Sequence, residues 1–391
     1  MLPKLVLKQG EGRRVERGHL WVFSNEVASL DDLPPEQDEV AVFSAKGRFL
    51  GSALLSPSSL IRARIYSRQP ESCDSAFIRS RLDAALALRR TLLPDRNAFR
   101  LCHSESDLLP GLVLDVFGSC VVVQILTRAM EHRKPSIIRA IQGVLSPAGI
   151  YERSDVPMRE LEGLPSATGL LAGEVPSPLE ITEQGVILFA DPHKGQKTGF
   201  FLDMAENRRA LAHLFSGRSV LDAYCHVGAW SLIAAANGAR ETHGLDSSAD
   251  AIALAELAMR RNGMTGRCRF ERADASESFR RLHEQGRHFD FIIVDPPPLA
   301  RRKKDVPNAL RAYRDINLRA MRLLTPGGIY ATASCSHNIT REDFLDSLRM
   351  AARDARADLD LFFSGAHASD HPVHLGTPET DYLKFFAFIR I

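Results

Sequence analysis

The sequence predicts an α/β protein. Its C-terminal half reads as an open, mainly parallel sheet with helices on both faces, preceded by a β-rich module and a central α+β region. Three observations predict it. From Val220 onward, apolar extended runs alternate with helical patterns, the βαβα rhythm of a parallel sheet. The acids Asp222, Asp246, Asp274 and Asp295 fall where successive extended runs end. Near the N-terminus, Ile61, Ala63 and Ile65 alternate with Arg62, Arg64 and Tyr66, the pattern of a half-buried strand.

At 391 residues the chain is too long for one ordinary domain. Hydrophobic content of 45% and charged content of 25% describe a soluble globular protein. No run approaches the ~18–20 apolar residues of a membrane span. The opening stretch MLPKLVLKQGEGRR lacks the apolar core of a signal peptide, so a cytoplasmic location and no membrane partner are expected. Cys73, Cys102, Cys120, Cys225, Cys268 and Cys335 are scattered without C-x-x-C spacing, which indicates neither a metal site nor a disulfide framework. A net charge of +2 confines any nucleic-acid surface to a local patch.

Residues 1–69 read as short strands forming a small β-barrel-like module. Within it, Trp21 and Phe23 lie beside Arg13, Arg14 and Arg17. Basic residues next to aromatics serve phosphates and base stacking; a core pair with a solvated basic rim explains the same pattern. Residues 70–188 form the central region. It has a helix over Ala76–Leu92, a hairpin turning at Phe117-Gly118, a helix at about 134–145 and further strands around ITEQGVILFAD. Nothing there carries obvious chemistry. Residues 189–391 begin with DPHKGQKTGFFLDMAENR, a Gly-punctuated loop entering a helix at Asp203 or Glu206. That loop, with Lys197, Thr198 and Phe201, reads as an interdomain linker or as a lid over a cofactor.

The stretch from Val220 to Asp246 organises the rest: strand, tight turn with Gly228, helix, strand. In open α/β sheets the ligand lies beyond the carboxyl ends of the strands, and an acid ending the second strand suits the hydroxyls of a ribose. A dinucleotide fold wants several glycines to approach a pyrophosphate. Here Gly228 stands alone in the turn, and Asp222 would repel a pyrophosphate while attracting an ammonium or sulfonium. S-adenosyl-L-methionine (SAM) carries both and no phosphate. The expected fold is therefore a Rossmann-like class I methyltransferase domain with a seven-stranded sheet. By position Asp222 serves the methionine end, Asp246 the ribose and Asp274 the adenine amino group. Tyr224, Ser247 and Ala275 beside them, and Asp295, complete the cofactor set. A single acid in such a place is more simply a helix cap.

Asp295 is followed by Pro296, Pro297 and Pro298, which fix the backbone as it leaves the strand. The next strand ends at Cys335, within Ser334-Cys335-Ser336-His337. A lone cysteine is ordinarily a small buried hydrophobe. Its position beside the Asp295 strand makes it a candidate nucleophile, activated by an electropositive field from His337 or from Arg301, Arg302, Lys303 and Lys304. That basic run serves equally as a solvated loop or as a grip on the phosphates of a polyanion. Cysteine next to a methyl donor suggests methylation of pyrimidine carbon 5, with Asp295 holding the N3 edge of a flipped cytosine. Amine methylation needs no cysteine.

The chain resembles, over its full length, the bacterial ribosomal large-subunit RNA (cytosine-5) methyltransferase I family. The resemblance is carried by GHLWVFSNEV, SPSSLIRARIYS, ESDLLPGLVLD, YERSD, GQKTGFFLDMAENR, VLDAYCHVGAWSL, VDPPPLA, YRDINLRAM, SCS and DHPVHLGTPETDYLK. It implies an N-terminal PUA domain assisting RNA binding, a central α+β domain and a SAM domain. It also implies Cys335 as nucleophile, the strand-end acids around SAM, a ribosomal RNA substrate and a homodimer. Three positions depart from the family pattern: Met204-Ala205 where Gln-Arg is common, His226-Val227 in the turn, and Pro298 where another branch of cytosine-5 enzymes has a second cysteine. Two alternatives remain open: an RNA guanine amine methyltransferase of the same architecture, and a non-catalytic assembly factor that binds SAM and RNA.

Overall fold

The computed structural model describes residues 2–34 and 37–391; Met1, Pro35 and Glu36, within the module expected over 1–69, lie outside the described residues. Contacts divide the chain into two compact units. The first holds Met1–Leu179, Ala190–Leu202 and Ser369–Thr380; the second holds Glu180–Phe189, Asp203–Ala368 and Asp381–Ile391.

The first unit contains two sheets. A six-stranded sheet runs, in spatial order, Trp21–Phe23, Ile61–Ser67, Phe49–Leu55, Glu39–Phe43, Lys4–Leu7 and Val27–Leu30. A five-stranded sheet includes Leu112–Phe117 and Cys120–Ile125, joined at Gly118-Ser119. The helix Ser75–Leu92 starts where Asp74 accepts from the Phe77 backbone N–H at 2.9 Å, and it buries Phe77, Ile78, Leu82, Ala85 and Leu86 at helical spacing. Arg89, on the same helix, is 1% exposed and forks onto Asp107 at 2.6 and 2.7 Å. An arginine so deep is tolerable only when paired bidentately.

The second unit is built on a seven-stranded sheet: β1 (Ser219–Ala223), β2 (Glu241–Asp246), β3 (Cys268–Arg272), β4 (Phe289–Val294), β5 (Leu324–Ser334), β6 (Leu359–Gly365) and β7 (Lys384–Arg390). Their spatial order is β3-β2-β1-β4-β5-β7-β6. All pairs are parallel except those of β7, which is antiparallel to β5 and β6. Strands β1 and β4 are mostly apolar because helices cover both faces, burying Val220, Leu221, Phe289, Phe291, Ile292, Ile293 and Val294. The helices are α1 (Ala205–Leu211), α2 (Ala229–Ala236), α3 (Ala249–Arg261), α4 (Ala275–Glu284), α5 (Val306–Met321) and α6 (Arg341–Ala355). Sequence-coded caps start three of them: Ser248 accepts from Ala251, Asp274 from Glu277, and Thr340 shares a reciprocal box with Asp343.

β6 and β7 pair antiparallel, with β7 between β5 and β6 and a connection over 366–383. One detail differs from the sequence reading. Neither Asp203 nor Glu206 caps α1; Asp203 instead accepts from the Tyr382 hydroxyl at 2.6 Å. Met204 is 3% exposed and packs with Phe215, Val220 and Trp230, which explains an apolar residue there. Among the described residues no helix is long and apolar enough to cross a membrane.

Candidate active site

The strand order reverses between β1 and β4, where an open sheet leaves a crevice at its carboxyl edge. Asp222 is the fourth of the five residues of β1, and Asp295 directly follows β4. Asp246 ends β2 and Asp274 follows β3 by two residues. Cys335 directly follows β5. Register fixes the neighbours: Ala223 pairs with Val294, and Val294 with Thr332. The carboxylates and the thiol thus leave one edge of one sheet.

The turn after β1 is shaped for that edge. Tyr224, His226 and Gly228 have φ of 64°, 50° and 77°, all in the left-handed region. Two non-glycine residues held so within one turn store backbone strain, a feature concentrated at ligand sites. The strain is over-determined locally. The Cys225 N–H donates to the Leu245 carbonyl at 2.9 Å, and the His226 N–H to Asp246 at 2.9 Å. Gly228 is required twice over, since a Cβ there would also meet the Phe270 ring at 2.6 Å.

Asp222 is fully buried. One of its oxygens accepts both the backbone N–H (3.0 Å) and the hydroxyl (2.8 Å) of Ser231 in α2. The other oxygen has no hydrogen-bond partner. Burial, opposed by the Ser231 bonds, pushes its carboxyl up to about 7. A cation brought to this edge would relieve both the orphaned oxygen and the penalty on its charge. Asp246 accepts from His226 on one oxygen and from the Ser248 N–H (2.9 Å) on the other, leaving outward lone pairs suited to hydroxyl donors. Asp274 caps α4 by accepting from the Glu277 N–H at 2.9 Å. Burial first, and the nearby Asp274 charge second, push the Tyr224 phenol up to about 12. Ser247 is exposed beside Asp246, and Ala275 opens α4. This donor set fits SAM: a buried carboxylate for a cationic group, a second for a ribose, and no run of glycines for a pyrophosphate.

Cys335 is held from both sides. Ser334 and Ser336 each hydrogen-bond the Tyr313 hydroxyl at 3.1 Å, and Ser336 Oγ also accepts from the Leu299 and Ala300 N–H groups at 3.0 and 3.2 Å. Ser336 therefore ties the end of β5 to the proline turn after β4. The other five cysteines are buried, whereas Cys335 is partly exposed, its sulfur 4.0 Å from the Pro296 carbonyl.

Several residues at this edge escaped the sequence reading. Lys384, at the start of β7, is 7% exposed and donates to the Ser336 carbonyl at 2.6 Å and the Tyr382 carbonyl at 2.8 Å. The Tyr382 ring lies against His337 and His367, with centroids 5.2 and 4.9 Å away. Arg208, 2% exposed, forks onto Glu183 at 2.7 Å twice and feels the charges of Asp203 and Asp295. The only sequence signal for Lys384 was its place in the family-like tail DYLK.

The remaining candidates stand on other segments of the chain. Arg301, Arg302, Lys303 and Lys304 are all exposed; among the described residues none of their side chains forms an ion pair, although the Arg302 backbone N–H donates to Asp305 at 3.1 Å. Lys197, Thr198 and Phe201 belong to the first unit. There Thr198 is fully buried and donates to Asp115 at 2.5 Å, and the Lys197 ammonium lies 4.4 Å from the Phe201 ring centroid. In the short helix Arg13–Glu16, Arg13 is exposed and Arg14 pairs with Glu26 at 2.9 Å, while the Trp21 indole, on the six-stranded sheet, donates to Glu105 at 3.0 Å.

Comparison with known proteins agrees with the geometry. Residues 5–68 match the PUA-like domain family, and residues 155–364, more than half of the chain, match the S-adenosylmethionine-dependent methyltransferase family. Ribosomal RNA large subunit methyltransferase I of Erwinia tasmaniensis is 38% identical over 392 residues, covering 99% of each chain. The protein of the same name from Klebsiella pneumoniae strain 342 is 36% identical, covering 99% of this chain and 98% of its own. A Streptococcus mutans protein assigned as a SAM-dependent methyltransferase shares the fold at a TM-score of 0.84 and 22% identity, with full coverage of both chains. So does SMU.776, assigned as a methyltransferase and complexed with SAH, at 0.86 and 22%. The chain belongs to the ribosomal RNA large subunit methyltransferase I family, SAM-dependent methyltransferases with a PUA-like domain.

Proposed function

We propose that the protein methylates carbon 5 of a cytosine in large-subunit ribosomal RNA, with Cys335 as nucleophile and residues 1–69, 70–188 and 189–391 as PUA-like, central and methyltransferase domains. The observation that carries the chemistry is Cys335: the one cysteine of six that is not buried leaves the sheet edge beside the Asp295 strand. Carbon 5 of a pyrimidine is a poor nucleophile. As the Cys335 thiolate forms a bond to carbon 6, the carbon 5–carbon 6 π pair becomes available at carbon 5. SAM, when bound, supplies an electrophilic methyl group at this edge. As carbon 5 takes the methyl, S-adenosylhomocysteine is the leaving group; a base then takes the carbon 5 proton, and the sulfur–carbon 6 bond breaks to restore the double bond and the thiolate.

Asp295 is suited to hydrogen-bond the N3 and amino edge of the base, stabilising charge in the adduct. Asp222, Asp246 and Asp274 take the cationic, ribose and adenine ends of SAM in this reading. The exposed run Arg301–Lys304 supplies phosphate contacts, and Arg13 adds charge on the PUA-like module.

The test uses labelled SAM, unmodified ribosomal RNA and digestion to nucleosides, with wild type and Cys335→Ala side by side. Label in 5-methylcytidine that vanishes in the variant is the expected result. Label in a methylguanosine, or full activity without Cys335, would replace this reading with amine methylation. SAM binding with no label on RNA or subunits would point to an assembly factor.

A further inference from the structure

We propose that Lys384 is a positioning residue for Cys335: an ammonium fixed at the end of β5 that favours the thiolate over the thiol. This deepens the reading of Cys335 as nucleophile and rests on it. The antiparallel register sets Lys384 directly opposite Ser334, so its stem leaves the sheet beside the residue before Cys335. Its Nζ then donates to the carbonyl of Ser336, the residue after Cys335, at 2.6 Å. A second donation, to the Tyr382 carbonyl at 2.8 Å, fixes the head from the other side. An ammonium has three N–H donors, so these two bonds hold its position and leave charge and one donor over.

A lysine that is 7% exposed is unusual in itself. Burying an ammonium is unfavourable unless an anion answers it. Among the described residues Lys384 forms no ion pair with a carboxylate; its direct partners are two neutral carbonyls. Burial accordingly lowers it to about 8, and the influences that oppose the lowering come from Cys335 first and Asp381 second. The thiol is thus the leading candidate for the missing anion.

The other charged and titratable groups around the pair come from several elements; the Arg208 guanidinium on α1 is forked onto Glu183. Tyr313 reaches in from α5, where burial first and Cys335 among further causes raise its phenol. Tyr382 donates its hydroxyl to Asp203, and its ring lies against His337. Asp295 stands at the end of the neighbouring β4. A lysine that merely capped the strand end would bind the same carbonyls, so the discriminating observable is the ionisation of Cys335.

The experiment measures iodoacetamide alkylation of Cys335 in the full-length protein as a function of pH, read by peptide mass mapping. The other five cysteines are buried and serve as internal controls. Wild type, Lys384→Gln and Lys384→Arg are compared after checking that each unfolds cooperatively and binds SAM. We expect the alkylation midpoint to lie below the ordinary thiol value of ~8.5 in wild type. It should rise by about one pH unit, a roughly tenfold slower reaction at fixed lower pH, in Lys384→Gln. Lys384→Arg should restore most of the shift. An unchanged midpoint in a folded Lys384→Gln overturns the proposal. If that variant does not fold, a wild-type midpoint at or above ~8.5 overturns it as well. Retained 5-methylcytidine formation in Cys335→Ala sinks the nucleophile reading alone, because the alkylation profile does not depend on RNA chemistry.

Discussion

Ser231 spends two donors on one oxygen of Asp222, its backbone N–H at 3.0 Å and its hydroxyl at 2.8 Å, while the other oxygen stays buried without a partner. A half-satisfied buried carboxylate is destabilising for the protein alone. It becomes favourable when a cation arrives. The relationship suits this carboxylate, inside the first strand rather than on its solvated tip, to receive a positively charged group.

A pH dependence follows from Asp222. Its carboxyl stands at about 7 folded, against ~3.9 for an unfolded aspartate. Between those values the folded state holds the proton and the unfolded state does not, so stability without SAM falls as pH rises from about 4 to about 7. SAM binding runs the other way: pairing its cation needs the carboxylate, so affinity should rise through pH 7 and level off above it. Asp222→Asn should flatten both profiles and weaken binding by about tenfold or more at pH 8, one charge-assisted contact. Calorimetric titration from pH 6 to 8.5 checks this. A wild-type affinity flat across that range would exclude Asp222 as the cation's partner.

Gly228→Ala should destabilise through two separable effects. The φ of 77° penalises any side chain, and the new Cβ would meet the Phe270 ring at 2.6 Å. Together these should amount to about 2–4 kcal/mol. Adding Phe270→Leu should recover the steric part and leave the conformational part. Chemical denaturation of the single and double variants measures both. Full recovery in the double variant would show that the left-handed conformation costs nothing here.

How far the sequence could be read follows the range of the physics. The caps Ser248 and Thr340 are local signals but went unread. Strand–helix alternation is local too, and it was legible. So was the gathering of Asp222, Asp246, Asp295 and Cys335 at one edge, because parallel strands bring their carboxyl ends together. The left-handed Tyr224 and His226 were not, since only glycine announces a positive φ. Beyond its place in the tail DYLK, the position of Lys384 could not be read, because it depends on β7 inserting beside β5, a long-range pairing no local pattern encodes. Arg208 looked like any helix arginine; its pairing with Glu183 crosses 25 residues and a change of element.

That buried pair gives its own test. Arg208 and Glu183 are 2% and 8% exposed. Arg208→Met strands a buried carboxylate and should destabilise by about 3–5 kcal/mol, whereas the double variant with Glu183→Leu should regain most of it. Thermal unfolding of the three variants decides. Near-wild-type stability in Arg208→Met alone would mean that Glu183 escapes to water.

The exposed run after the proline turn should act through charge alone. Lys303 and Lys304 are fully on the surface and, among the described residues, pair with no carboxylate. Replacing both by Gln should therefore leave unfolding and SAM affinity unchanged. If each lysine neutralises one RNA phosphate, the slope of log affinity for ribosomal RNA against log salt should shrink by about two. Filter binding across a salt series separates this from a specific contact. An affinity loss with an unaltered slope would place these lysines outside the phosphate path. A lost slope with unaltered methylation of the assembled subunit would mean that the run gathers RNA without orienting the target base.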